Sequence, residues 1–329
     1  MPIKLSVLDQ SFVRSPELAH DALHDTISMA QWCETLGYER FWVSEHHAFL
    51  TLAGSAPEVL LAAIGMATNT IRLGSGGIML PHYSAYKIAE VFSLLSNLYP
   101  GRIDLGIGRA PGADMETAVA LATDGRPKFE RFPALVDALT RYLQDENATP
   151  IVSPQPPKDL PLWVLGSSAD SAQLAAEKGL PYNLGLFINP QAQHDLVRLY
   201  KHYFKSPESG QRPYGVVTMG VFCCDTQAQA EEQQYTYDVN FFRRFSGQFG
   251  GPNDSLLTPA QARDFPVTPQ LEGFIAQRSQ NRAVGTPERA CSIIRDVAKR
   301  FDADEVMMVT NMFRVEDRRR SFELVKKTF

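Results

Sequence analysis

The chain has 329 residues, 32 Lys+Arg against 37 Asp+Glu, a net charge of -5, and is 44% hydrophobic with 4 Cys. That length can bury a large core, as two medium domains or as one barrel, and the composition excludes a disordered, collagenous or disulfide-stapled chain. The mild acidity counts against a nucleic-acid or anionic-membrane partner, because counterion release needs a basic face.

Met1-Pro2-Ile3-Lys4 enters a strand-like pattern directly, so no leader peptide is expected. Ile3 to Leu8 reads as the first strand. A helical stripe of Ala22, Leu23, Ile27, Ala30 and Cys33 follows and stops at Gly37. Phe41-Trp42-Val43 is a second strand. Ser55-Ala56-Pro57-Glu58 reads as a capping box, with Ser55 as N-cap, opening a helix to Ala67. The apolar run of that helix is about half of the roughly 20 residues a membrane span needs, so no membrane partner is expected. Ile71 to Leu80 is a third strand, broken by Gly74, Gly76 and Gly77. Ile88, Val91, Leu95 and Leu98 form the next helix stripe. Arg102 to Ile107 is a fourth strand, and helices follow near Asp114–Ala122 and Phe129–Gln144. Leu162–Leu165, Tyr182–Phe187, Val216–Cys223 and Glu305–Val309 complete the strands. Helices are expected to Glu177, over Pro190–Phe204, from Thr226, from the Thr286-Pro287 cap and over Val315–Lys327.

Eight strand–helix units predict an α/β fold, a (β/α)8 TIM barrel in a single domain over residues 1–329, with a doubly wound open sheet as the alternative. Phe241–Gln270 breaks the alternation with Phe245, Gly247, Phe249, Gly250 and Gly251, then Pro252, Pro259, Pro266 and Pro269. It is expected to be an irregular lid insertion before the last barrel unit. Cys33, Cys223, Cys224 and Cys291 contain no C-x-x-C pair and read as reduced cytosolic thiols, which with the missing leader predicts a cytoplasmic protein.

Barrel chemistry sits where strands end. Those ends carry Asp9-Gln10, Ser44-Glu45-His46-His47, Gly76 to Tyr83, Gly108-Arg109-Ala110-Pro111-Gly112 and Gly166-Ser167-Ser168. Adjacent strand residues point to opposite faces, so His46 and His47 cannot both face the mouth from regular strand geometry, and no metal is expected. One histidine, His46 by preference, reads as an acid/base or hydrogen-bonding group. Gly106-Ile107-Gly108-Arg109-Ala110-Pro111-Gly112 is one residue too long for a dinucleotide fingerprint, and Pro111 removes an amide the pyrophosphate would need. Arg109 reads as a surface ion-pair residue or a phosphate clamp. Ser167 and Ser168 read as an ordinary helix cap or, beside Arg109, as part of an anion site.

Arg40 to His47, Gly74 to His82, Pro100 to Gly112 and Leu162 to Ser168 occur in this order. Together they resemble the bacterial luciferase-like flavin monooxygenases, in particular the members that emit no light. The resemblance implies a barrel that binds reduced FMN at its C-terminal mouth, molecular oxygen as co-substrate and a homodimer. It implies that His46 is catalytic, with Glu45 beside it. Gly76 and Gly77 would lie under the flavin ring, joined by a non-prolyl cis peptide. Arg109 would contact the FMN phosphate, with Gly166, Ser167 and Ser168 completing the cofactor site. The 241–270 segment would be a mobile active-site loop. With no nicotinamide site in the chain, reduced FMN would come from a separate NAD(P)H:flavin reductase. The substrate would be a small, apolar organic molecule in a pocket lined by Asp9, Gln10, His47, Met79 and His82. A deazaflavin-dependent hydride-transfer enzyme and a non-catalytic flavin-binding protein are the alternatives.

Overall fold

Among the described residues, short apolar runs between glycine-rich or polar loops form ten strands, all paired in parallel. The computed structural model describes residues 3–14, 18–109, 112–122, 124–206, 210–247 and 255–329. Met1, Pro2, Ala110, Pro111, Phe249, Gly250, Gly251 and Pro252 lie outside the described residues. The strands are β1 (Lys4–Asp9), β2 (Arg40–Val43), β3 (Arg72–Ser75), β4 (Ile78–Met79), β5 (Ile103–Gly108), β6 (Leu162–Gly166), β7 (Tyr182–Gly185), β8 (Gly215–Cys223), β9 (Ala283–Gly285) and β10 (Glu305–Val309). Their order is β10-β1-β2-β3-β5-β6-β7-β8, and β10 pairs back onto β8 to close the barrel. β3 and β4 are one stave interrupted at Gly76-Gly77, whose peptide bond is cis. A Cβ on Gly77 would stand 2.9 Å from the Gly106 carbonyl oxygen, so the interruption needs bare backbone. β9 went unpredicted; it pairs with the last residues of β8, beyond the reach of β10.

Helices α1 (Ala19–Thr35), α2 (Pro57–Ala67), α3 (Ala85–Leu98), α4 (Met115–Leu121), α5 (Phe132–Gln144), α6 (Ala169–Lys178), α7 (Leu196–Tyr203), α8 (Gln227–Phe245), α9 (Pro259–Arg263), α10 (Pro269–Arg278), α11 (Pro287–Phe301) and α12 (Val315–Thr328) alternate with the strands. Two expectations need correction. Ser55 is not the cap of α2: Pro57 takes the first helical position, so Ala56 is the N-cap and Ser55 is exposed. The 241–270 segment is also less irregular than expected. α8 runs to Phe245, and Thr258-Pro259 and Thr268-Pro269 cap and open α9 and α10. These helices bury Val239, Ala262 and Leu271 against one another.

Along each strand alternate side chains face the helices or the lumen. Val7, Phe41, Leu73, Leu105, Val164, Leu184, Val217 and Met308 face outward into the main core with Met29, Ile64, Phe92 and Phe322. The lumen is filled in layers. At its N-terminal end Arg40 donates to Asp104 (2.7 Å) and Glu305 (2.8 Å), and Arg72 donates to Asp104 (2.6 Å). Ser6 and Tyr214 also donate to Glu305. Above this plug sits an aromatic layer: Trp42 and Trp163 meet edge to face at 5.3 Å, packed with Leu8 and Met307. The larger, C-terminal cavity lies beyond that layer.

Candidate active site

In the next layer several glycines take the place of larger side chains, and a cavity of about 580 Å³ opens at the C-terminal mouth. Gly76, Gly77, Gly108, Gly166 and Gly185 line it, over a floor that includes Leu8, Trp42, Asn183 and Thr218. A Cβ at Gly76 would meet Leu8 at 2.5 Å, and one at Gly166 would collide with Ser171. Ser75 fixes the wall: its hydroxyl donates to the Gly106 carbonyl (2.8 Å) and accepts from the Gly106 amide (3.0 Å). Thr218 donates to Asn183 Oδ1 (2.6 Å), a buried polar pair facing an otherwise apolar space.

One rim of the cavity suits an anion. Arg109 is exposed and lines it beside Ser167 and Ser168. Ser168 is the N-cap of α6, and Ser171 ties the turn by donating to the Ser168 carbonyl (2.7 Å). Asn189 holds the Ser167 carbonyl at 3.1 Å. The start of α6 and the guanidinium of Arg109 therefore border the same cavity. Asp170 and Glu130 line the same cavity, so any anion there has to be met locally by Arg109 and the amides.

The other expected residues are divided. Met79 lines the cavity. Glu45 is fully buried behind that wall, accepting from the Met79 amide (3.0 Å) and the Tyr83 hydroxyl (3.0 Å) and pairing with His47 Nε2 (2.8 Å). The contact with Glu45 and burial push the Tyr83 hydroxyl far above its ordinary range. His47 is held further by its backbone amide, which donates to the Gly112 carbonyl (2.9 Å), and His82 packs edge-on against His47 and Phe129. Asp9 does not reach the cavity: it is fully buried in an ion pair with Arg318 and accepts from Ser11 and Thr26. Gln10 accepts from Asn311 (2.6 Å).

His46 stands at the rim, outside the lining of the large cavity and toward α8. Its Nδ1 is hydrogen-bonded to the Ser44 hydroxyl (3.0 Å), and its ring lies 5.7 Å from Phe49. Burial, with the nearby positive Arg244, lowers its pKa to about 4. The imidazole is therefore neutral near pH 7, with one ring nitrogen donating and the other accepting.

Sequence reasoning missed Asn183 and Thr218. The signal was present, a single polar residue at an inward position of an apolar strand, but it needs the barrel register to be recognised. Phe129, Phe132 and Phe187, which also line the cavity, gave no such signal because they read as ordinary core.

A model of the luciferase-like monooxygenase family matches residues 3–304. The uncharacterized protein YwcH of Bacillus subtilis is 40% identical over 99% of both chains. The N-acetyl-S-alkylcysteine monooxygenase of the same organism is 39% identical over 70% of each. Among solved structures, apo-MsnO8 superposes with a TM-score of 0.92 at 35% identity, covering 100% of this chain and 98% of its own. A family match over nearly the whole length, on a barrel that superposes end to end, makes the chain a member of the luciferase-like monooxygenases and an oxygenase.

Proposed function

We propose that the chain uses reduced FMN and molecular oxygen to oxidise a small, largely apolar organic molecule, with reduced FMN supplied by a separate NAD(P)H-dependent reductase. The observation that carries this reading is the cavity itself: a wall of glycines faces an apolar space, and a guanidinium and a helix N-terminus meet at one rim. Its about 580 Å³ falls within the roughly 300–1,000 Å³ of small-molecule pockets. The donor set fits a flat ring system ending in a phosphate. Arg109, Ser167, Ser168 and the α6 amides would hold the phosphate, and Gly76, Gly77 and Gly166 would give the ring room.

When bound, reduced FMN supplies the electrons that activate oxygen for transfer. His46, neutral and anchored by Ser44, would donate or accept a proton at the rim where oxygen is transferred. Glu45 acts as a positioning residue, because both its oxygens are engaged by the Met79 amide, Tyr83 and His47. The 241–270 segment, flanked by α8 and α10, would serve as a lid of this single domain that excludes water.

The same reading includes a homodimer. α2 and α3 pack side by side and expose Val59 and Met66 (82% exposed) with Leu94 and Leu98, an apolar face that a second copy would cover. Among the described residues no helix is long and apolar enough to cross a membrane, and all four cysteines are free. Both features fit the cytoplasmic location proposed with it.

The test is a fluorescence titration with FMN and, in parallel, with a deazaflavin, followed by supply of reduced FMN and oxygen to the protein with a panel of apolar organic compounds. FMN binding with oxygen-dependent product by mass spectrometry is expected. Preference for the deazaflavin would move the chain to hydride transfer, and FMN binding without product would make it a flavin carrier. His46→Ala is expected to lower product yield by about 10²-fold or more while FMN affinity holds.

A further inference from the structure

The rim near His46 holds a cation with no counter-charge among the described residues. Arg244 lies in the last turn of α8, with its guanidinium carbon 3.2 Å from the ring centroid of Phe49. It is half-buried, its Nη2 is buried without a hydrogen-bond partner, and no carboxylate among the described residues pairs with it. Its neighbours on the same wall are served differently. Arg282 Nη1 donates to both oxygens of Asp238 (2.7 and 2.9 Å), and Arg278 donates to the Phe187 carbonyl (3.0 Å), although its Nε is buried without a partner. A guanidinium carries five donors, and stacking on Phe49 satisfies none of them. Removing such a group from water without a partner is costly, so its place at the mouth calls for an anion that arrives later.

The surroundings describe that anion. Arg244 lines a second, small cavity of about 30 Å³ with Phe12, Thr51, Tyr237, Asn240, Phe241 and Leu256. That holds one or two water-sized groups, since a single water needs about 10–15 Å³ by this measure. The rest of the wall is mostly apolar, which favours an organic acid, whose carbon skeleton it can contact, over a strongly hydrated inorganic ion. Arg278 joins the two cavities: it stacks on Phe241 at 4.1 Å and holds Phe187, which lines the large one.

We infer that the substrate carries a carboxylate, which Arg244 receives beside His46 while the apolar remainder runs past Phe241 toward the large cavity. The inference rests on the reading of the large cavity and His46 as the oxygen-transfer site. It also supplies what the overall charge of -5 withholds, a local attraction for an acidic substrate.

The probes are hexanoate and hexanamide, which share an apolar tail and differ in charge. Each is titrated into the full chain by calorimetry while the His46 ring resonances are followed by NMR. Hexanoate is expected to bind about tenfold more tightly than hexanamide and to shift the His46 resonances. Arg244→Ala should abolish the preference, and Arg244→Lys should keep part of it. Circular dichroism identifies a variant that fails to fold, in which case Arg244→Gln replaces the alanine variant. Equal binding of acid and amide by the unmodified protein, or a preference that survives in a folded Arg244→Ala, would overturn the inference. An FMN titration on the same sample separates the two readings. Flavin binding without acid preference sinks the carboxylate site alone, and acid preference without flavin binding sinks the flavin reading.

Discussion

The two ends of the barrel lumen follow one rule of construction and reach opposite results. At the N-terminal end the inward positions hold Arg40, Arg72, Asp104 and Glu305, which neutralise one another and close the lumen. At the C-terminal end the inward positions include Gly76, Gly108 and Gly185, and the lumen opens. Strand alternation places a side chain inward at every second residue in both layers. The contrast teaches that the site is made by withholding side chains from a scaffold whose opposite end is tied by buried ion pairs.

The contrast can be broken most severely from below. Glu305→Ala leaves the buried Arg40 with Asp104 and the more distant Glu39 (4.0 Å) and is expected to cost about 3–5 kcal/mol, read by chemical denaturation. A loss under about 1 kcal/mol would mean that the plug is not what secures that end. A change at the mouth should act on binding instead. Arg109→Ala removes an exposed side chain, so the melting temperature should hold while FMN affinity falls about tenfold or more. Unchanged affinity would remove Arg109 from the phosphate assignment.

The smallest expected effect lies at the rim between them. His46 has a folded pKa of about 4 against an ordinary 6.5. Between those values the unfolded chain binds the extra proton. The stability tied to neutral His46 is therefore complete above about pH 6.5 and drains away as pH falls toward 4. Unfolding measured from pH 7 to pH 4 should show the wild type losing about 1–3 kcal/mol more than His46→Asn. Parallel losses would show that His46 is not desolvated.

Much of the frame was legible because its signals are local. Apolar runs of strand length gave the eight staves, and Thr286-Pro287 gave the start of α11. The same Thr-Pro signal at Thr258 and Thr268 was outweighed by the surrounding glycines and prolines, so α9 and α10 were overlooked. The glycines, Arg109 and the serines were legible because they follow strands directly. What the sequence hides is which strand-end carboxylates are already engaged. Asp9 looks available until Arg318, more than three hundred positions away, folds against it, and Glu45 looks catalytic until the Met79 amide and Tyr83 take its oxygens. Long-range pairing of this kind leaves no spacing pattern.

The aromatic layer has a practical consequence. Of the three tryptophans, Trp32 sits outside on α1, its Nε1 donating to the Arg319 carbonyl, while Trp163 and Trp42 meet edge to face inside the lumen and Trp42 is part of the cavity floor. Whatever settles in the mouth lies against one indole that is coupled to a second. The protein thus contains its own optical gauge, in which ultraviolet emission from the barrel floor dims as the chamber above it fills.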